Sequence, residues 1–300
     1  MTYPDGTKAA YTFDLLGRLT NLKDAENQNT TYAYDAASQL ISMAYPNGWS
    51  ESYSYDAAGR LIREYDKDPS GLVNKNIEST YTYDAQGNIT REARNGVGGQ
   101  EQYDYTHQYD ALGRLTRTDG LPGYATHTYQ YDSLGNLVYE KNGNGNKKGN
   151  EYWYNNLNQQ VQKKVDDKDT YSYTYDKRGN LVKGVENKKN TVIESYTYDA
   201  TGRMVKGVNE SGEESRYIYN GLGGLVANEW SFKNNSYGYH GNNVRKDYVL
   251  DYTSPLKDVI METESGSGAL TYRYTYGLEK ANVVIYGVPN GESGKRFTRS

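Results

Sequence analysis

The sequence predicts an all-β protein in which tandem β-hairpins pair edge to edge into one continuous sheet. Three observations carry that prediction. A unit of the form Tyr-x-Tyr-Asp-x-x-Gly-(Arg/Asn)-Leu recurs ten times along the 300 residues. The composition holds 34 Tyr against 3 Phe, 3 Trp and 4 Met, while Leu, Ile, Val and Phe together make up about 16% of the chain, too little for an aliphatic core. No stretch shows a sustained helical period capped at both ends, so helix content is expected to be very low. Disorder is excluded as well, because Lys+Arg 34 against Asp+Glu 38 leaves a net charge of only −4, and disordered chains are poor in aromatics. Tyrosine therefore takes the place of the missing core: each ring brings roughly 150–250 Å² of surface and keeps a hydroxyl for a hydrogen bond, and regular spacing is expected to let the rings stack.

The unit has the chemistry of a hairpin. Asp opens a four-residue turn in which its carboxylate can accept a backbone N–H two residues on. Gly at the fourth corner supplies the positive φ of a bulged exit. Ahead of the turn the two Tyr share one face of a strand, because side chains alternate; behind it, Arg/Asn-Leu begins the returning strand.

The copies follow in order. The first has Tyr11, Phe13, Asp14 and Gly17. The second has Tyr32, Tyr34 and Asp35, with Ser38 in the glycine place, the weakest of the ten turns. Tyr53, Tyr55, Asp56 and Gly59, then Tyr81, Tyr83, Asp84 and Gly87, are complete copies. In the fifth, His107 takes the first tyrosine slot ahead of Tyr109, Asp110 and Gly113; the sixth is Tyr129, Tyr131, Asp132 and Gly135. The seventh keeps Tyr152 and Tyr154 but has Asn155 for Asp and Asn158 for Gly, residues that suit a turn and the left-handed region respectively. Tyr173, Tyr175, Asp176 and Gly179, and Tyr196, Tyr198, Asp199 and Gly202, restore the pattern, and Tyr217, Tyr219, Asn220 and Gly223 end it. Of the 20 tyrosine slots 18 hold Tyr, which places just over half of the tyrosine excess in the repeat.

Successive anchors stand 21 to 28 residues apart, room for two strands and two turns. A lone hairpin is marginal, so the units are expected to stack in series as a solenoid, with the Tyr and Leu rows forming ladders. Linkers such as Lys23–Asn29 read as the opposite turns, and the longer ones, Asp66–Ser79 and Glu92–Tyr105, are expected to bulge from the surface. One repeat region is expected over 1–290, with clear copies at 11–225, degenerate strands at 226–290 and a frayed tail at 291–300. Within the degenerate part Tyr237–Gly241 is a poor copy, Ser265–Gly268 reads as a hairpin tip, and Tyr272–Leu278 restores alternation without the Asp.

Tandem Tyr-Asp units with this spacing resemble the YD repeats of RHS-repeat proteins, a family that includes bacterial polymorphic toxins, wall-associated proteins, the shell of insecticidal toxin complexes and the teneurin YD shell. The resemblance covers Tyr11 to Leu225, and Tyr272 to Gly287 is similar to what precedes the end of the RHS core. It implies a sheet spiralling into a hollow shell that encloses a C-terminal toxin or effector, with an immunity protein as a further partner. A core-end segment, autoproteolytic in some members, is not recognisable by Ser300, so a fragment of a longer parent is expected. Secretion or surface display would come through that parent, since Met1–Gly6 lacks the basic and apolar regions of a signal peptide.

Singular chemistry is sparse. The three histidines, His107, His127 and His240, stand at no ligand spacing. Ten repeated turn residues are explained by the turn, whereas a catalytic carboxylate pair is singular. Asp66–Gly71 has the alternating oxygens of a calcium loop, but Ile77 stands where the closing Glu belongs and Glu78 is one late. Gly143–Gly149 is a loose match to a phosphate loop with no helix behind it and reads as a hairpin tip. With no Cys there is no thiolate metal site or cysteine nucleophile. No run approaches the roughly 18 apolar residues of a membrane helix, and the mixed charge argues against a nucleic-acid footprint. The expectation is a structural shell segment without catalysis, cofactor or metal. The alternative is a surface adhesion module that binds glycans or proteins through exposed aromatic rows, with Trp49, Trp153 and Trp230 as stacking residues; for Trp153, inside Tyr152-Trp153-Tyr154, sheet packing is the simpler reading.

Overall fold

The computed structural model describes residues 1–3, 6–72, 75–95, 102–121, 125–143, 148–231, 243–252, 258–265, 270–276, 280–286 and 296–297. No α-helix occurs among them, and twenty-five β-strands do. The expected tail at 291–300, the segment Tyr237–Gly241 with His240, the tip after Ser265 and the loop core 144–147 fall wholly or largely outside the described residues.

The chain divides into two compact units. The first comprises Met1–Gly149 with Tyr276–Ala281. It contains β1 (Ala10–Phe13), β2 (Leu19–Lys23), β3 (Asn29–Tyr34), β4 (Leu40–Ala44), β5 (Ser50–Tyr55), β6 (Leu61–Lys67), β7 (Ile77–Tyr83), β8 (Ile89–Asn95), β9 (Tyr103–Tyr109), β10 (Leu115–Leu121), β11 (Ala125–Tyr131) and β12 (Leu137–Asn142). Each strand pairs antiparallel with the next.

The second unit comprises Asn150–Thr275 with Asn282–Ser300. It contains β13 (Asn150–Tyr154), β14 (Gln160–Val165), β15 (Asp169–Tyr175), β16 (Leu181–Glu186), β17 (Thr191–Tyr198), β18 (Met204–Asn209), β19 (Glu214–Tyr219), β20 (Leu225–Ser231), β21 (Asn243–Leu250), β22 (Val259–Ser265) and β23 (Leu270–Tyr276). These too pair antiparallel in order, and β24 (Lys280–Tyr286) pairs with β25 (Arg296–Phe297).

All ten repeat hairpins carry the same irregularity. Beside the second aromatic slot the register slips by one: Ser54 faces Arg63 and Tyr55 faces Leu61, which leaves Ile62 as the extra residue. Thr20, Ile41 and Thr90 are the extra residues of their own hairpins. Such a bulge bends the strand and sharpens its right-handed twist. Its effect shows in the ladders. Strands joined through the Asp turn pair over nearly their whole length, as β5 and β6 do from Ser50–Lys67 to Tyr55–Leu61. Strands joined through a linker pair only over the half nearest the linker, as β4 and β5 do at Ser42–Ser52, Met43–Glu51 and Ala44–Ser50. Near the Asp turns, neighbouring hairpins part.

One face collects the core. Register places Tyr32 opposite Met43, Met43 opposite Glu51, and Glu51 opposite Asp66, which in turn faces Ile77. Leu22 and Met43 are fully buried, and Tyr32, Tyr45 and Ile77 nearly so. The other face carries crossed ion pairs such as Arg63–Glu78 and Arg91–Asp104.

Two expectations need correction. The first linker does not bulge away: Asp68 and Asn76 are buried, the Asp68 N–H donates to Asn76 Oδ1 at 2.9 Å, and Pro69 lies where a Cβ on Gly48 would come within 2.9 Å. The loop folds onto the turn between β4 and β5. The tyrosine rows also do not stack ring on ring. Successive copies lie two strands apart, roughly 9.5 Å, beyond the roughly 4.5–7 Å over which ring centroids interact, and a residue of the intervening strand sits between them. Among the described residues the stacked pair is Tyr103–Tyr105, with centroids 4.5 Å apart, and it lies ahead of its repeat.

Candidate functional site

The feature repeated most faithfully is the closure of each Asp turn and its attachment to the next hairpin. In the first copy the Asp14 N–H donates to Arg18 O and the Gly17 N–H to Asp14 O, both at 3.0 Å. Asp14 Oδ1 accepts the N–H groups of Leu16 and Arg18 at 2.9 Å, and Oδ2 accepts Arg18 Nε at 2.7 Å. One carboxylate thus satisfies the donors that a tight turn orphans. Gly17 stands at φ 77°, and Ser38 and Asn158, in the same corner, also adopt positive φ at 66° and 57°. The two middle corners touch little: Leu16, Leu112, Leu134, Leu157 and Leu222 are all exposed there.

The residue after the glycine has a role that spacing alone did not reveal. Arg18, Arg60 and Arg114 close their own turn through Nε and reach the next turn through Nη1, which donates to the backbone oxygens of Asp35, Asp84 and Asp132 at 3.1, 3.0 and 2.9 Å. Their guanidinium groups lie over Tyr34, Tyr83 and Tyr131 at 4.6 to 4.9 Å, a favourable cation–π geometry; Arg203 lies likewise over Tyr219. Asn88, Asn136 and Asn180 donate to their own Asp Oδ2 at 2.8 to 2.9 Å.

The second tyrosine supplies the other stitch. In the first unit Tyr34, Tyr55, Tyr83, Tyr109 and Tyr131 donate their hydroxyls to the backbone oxygens of Leu19, Leu40, Leu61, Ile89 and Leu115. In the second, Tyr175, Tyr198 and Tyr219 donate to Gln160, Leu181 and Met204. The distances run from 2.5 to 3.0 Å. Each acceptor is the residue just before a bulge, in the half where neighbouring hairpins no longer pair, so the hydroxyl replaces a ladder bond. This is why the slot needs Tyr; Phe13, which has no hydroxyl, lies on the first strand and is exposed.

Electrostatics follow the geometry. The Arg18, Arg60 and Arg114 backbone N–H groups, foremost, hold Asp14, Asp56 and Asp110 below the ordinary carboxylate range. The Asn side chains lead the same lowering at Asp84, Asp132 and Asp176, and Thr201 at Asp199. Desolvation raises the stitching hydroxyls of Tyr34, Tyr55, Tyr109, Tyr131, Tyr175, Tyr198 and Tyr219.

Three of the first tyrosines face carboxylates across the hairpin: Tyr53 faces Glu64, Tyr81 faces Glu92 and Tyr129 faces Glu140. Oxygens of Glu51, Glu64 and Asp66 lie within 4.8 Å of one another, the kind of donor set a hard cation takes. Glu51, however, already accepts the Tyr45 hydroxyl at 2.9 Å and the Tyr53 hydroxyl. Desolvation, then the bond to Glu51, drives the Tyr53 hydroxyl far above its ordinary value.

Asp68, in the loop with calcium-like spacing, instead caps its own turn through the Ser70 N–H at 2.8 Å. His107 is half-buried, with Nδ1 3.0 Å from Thr118 Oγ1 and Nε2 3.7 Å from Glu92; His127 Nδ1 meets the Tyr129 hydroxyl. The tryptophans separate. Trp49 ends the turn after Tyr45, its backbone oxygen accepting the Tyr45 N–H at 2.9 Å. Trp153 faces Gln162 and is 40% exposed, because period two turns it away from its tyrosine neighbours; sheet packing does not cover it. Trp230 lies on the tyrosine face, opposite Ser215.

The family described as Teneurin YD-shell matches residues 5–161 and 73–228. No curated protein matches the sequence. Among solved structures, a Photorhabdus luminescens Tc holotoxin pore is similar with a TM-score of 0.58 at 18% identity, over 89% of this chain and 14% of that one. A TcdB2-TccC3 complex is similar with a TM-score of 0.52 at 13% identity, over 94% and 18%, and a TcdB2-TccC3-Cdc42 complex with 0.51 at 14%, over 94% and 17%. The chain thus spans less than a fifth of the length of these solved chains, and the likeness is one of fold.

Proposed function

Because the chain belongs to the teneurin YD-shell family, we infer that it is a wall segment of an RHS-type shell, that it encloses or presents a C-terminal effector carried by the same parent polypeptide, and that it performs no catalysis itself. The observation that carries this reading is the repeated stitch: eight described tyrosine hydroxyls and four described arginines, Arg178 with Arg18, Arg60 and Arg114, bind backbone oxygens of the neighbouring hairpin. Such bonds fix hairpin to hairpin along the sheet. The partners on this reading are the remainder of the shell and the enclosed effector, and the parent acts outside the cell or at its surface.

Limited proteolysis of the polypeptide encoded by the complete reading frame tests this. The effector segment is expected to survive trypsin at concentrations that cut it when it is expressed alone, and to become cleavable when denaturant opens the wall. Equal cleavage in both contexts overturns the reading. The adhesion reading is favoured by one observation, the 40% exposure of Trp153 on the face away from the tyrosines. Glycan-array binding lost in Trp153→Ala supports it, and absence of binding removes it.

A further inference from the structure

We propose that the tyrosine face of the second unit contains a receptor for a cationic side chain, arginine or lysine, of a basic polypeptide segment. The site is a cavity of about 270 Å³ lined by Glu194, Tyr196, Gly207, Ser215, Tyr217 and Trp230, among others. Register explains how it forms. Tyr196 faces Gly207, Gly207 faces Ser215, and Ser215 faces Trp230, so four neighbouring strands present a row on one face that reads large, small, small, large. The small pair leaves a slot between two aromatic walls. A Cβ on Gly207 would already reach Tyr196 at 3.4 Å. The volume lies just below the roughly 300–1,000 Å³ of small-molecule pockets, a size suited to one side chain.

The charge of the slot is set by Glu194. It lies over Gly184, where a Cβ would come within 2.8 Å of it, and its Oε2 accepts the Tyr196 hydroxyl at 2.7 Å. Desolvation, then this bond, pushes the Tyr196 hydroxyl up to about 12, so Tyr196 remains a neutral donor. No lysine or arginine among the described residues lies within ion-pair distance of Glu194. By contrast Glu186, Glu214, Glu229 and Glu262 each hold one, from Lys189, Lys206 with Arg216, Arg245 and Lys246 respectively. A half-buried carboxylate bonded to Tyr196, in a cavity that Tyr217 and Trp230 also line, therefore lacks the cation that those carboxylates have, and aromatic faces with a carboxylate are what a guanidinium or ammonium group binds. The molecule uses this chemistry itself, where Arg114 lies over Tyr131 while it pairs with Asp110. The choice of a polypeptide as the source rests on the shell reading, and the proposal turns the tyrosine face toward the enclosed segment.

The test uses the full chain with Trp49→Phe and Trp153→Phe, which leaves Trp230 as the sole tryptophan reporter. Titration with tetra-arginine amide at moderate salt is expected to give a saturable change in its emission. Glu194→Gln should weaken binding about tenfold, with the far-UV spectrum unchanged. Ser215→Phe, which fills the slot and leaves Glu194 in place, should abolish it and serves if Glu194→Gln disturbs the fold. No saturable change, binding unaltered in both variants, or a response to chitotetraose in place of tetra-arginine overturns the proposal. The protease experiment on the complete polypeptide reads enclosure independently: protection of the effector while tetra-arginine fails to bind the chain that keeps Glu194 removes the receptor and leaves the wall standing.

Discussion

The two edges of the sheet obey different rules. Along the Asp-turn edge every described repeat closes in the same way, with an Asp or Asn taking two N–H groups on one oxygen or a close variant of that pattern, and a residue at positive φ in the fourth corner. Along the linker edge no two neighbouring turns need match. The turn from Asp24 to Gln28 imitates the repeat clasp, Asp166 and Asp167 both take positive φ in a three-residue reversal, and Asp68 closes a longer loop that folds back on Gly48. The difference follows from the ladders. Near the linkers, main-chain pairing between hairpins is complete and the turn has little left to specify. Near the Asp turns the bulge has parted the hairpins, and side chains must do the joining. Sequence is constrained where the backbone alone does not suffice.

Substitutions separate the two edges, and the largest effect is expected where the linker edge departs from its own tolerance. Gly120 is at φ 91°, and a Cβ there would meet Asp104 O at 1.9 Å. Gly120→Ala combines left-handed strain with a main-chain clash and should cost about 3 kcal/mol, read by urea denaturation. Next comes a paired test on adjacent turns of the second unit. Gly179, at φ 90°, replaced by Val should cost about 2 kcal/mol, while Gly-Ser inserted between Lys188 and Lys189 of the following linker should cost about 0.6 kcal/mol or less. Equal losses would erase the distinction between the edges.

A smaller effect belongs to the stitch. Tyr109→Phe removes the hydroxyl that donates to Ile89 O at 2.7 Å and should cost about 1 kcal/mol, with faster hydrogen exchange confined to the hairpins on either side. The smallest effect per site is the pH dependence. The folded values of Asp14, Asp56, Asp84, Asp110, Asp132, Asp176 and Asp199 are depressed, so their contribution is fully present above the unfolded value near 3.8 and is lost as pH falls through the folded values. Stability measured at pH 5 should exceed that at pH 2.5. Exchange at the turns headed by Asn155 and Asn220, which carry no charge to lose, should change least.

Much of this was legible in the chain because the turn is a local object. Asp14, its acceptor geometry and the positive φ of Gly17 follow from four consecutive residues, and the ten copies reinforce one another. The Asn substitutions at 155 and 158 could be read for the same reason. What the sequence concealed is non-local. The partner of each tyrosine hydroxyl is a backbone oxygen 15 to 22 residues earlier, and backbone oxygens have no sequence signature. The abundance of Tyr over Phe was the signal available, and it suggested ring stacking until strand spacing ruled that out. The second reach of Arg18, Arg60 and Arg114 is hidden likewise, although the alternation of Arg and Asn after the glycine hints that the position has a polar task. The cavity beside Trp230 depends on Gly207 and Ser215 falling opposite large residues, a coincidence of register that no single strand displays.

The tyrosine stitch has a consequence for how such a chain can change over generations. Its donor is a side chain, but its acceptor is main chain, which any neighbour provides whatever its sequence: Gln160 and Met204 serve as well as Leu19. Each unit thus brings its own half of the junction and asks for no matching mutation next door. A copy duplicated, deleted or exchanged by recombination arrives already compatible with both flanks, so the number of units can drift without passing through a broken intermediate.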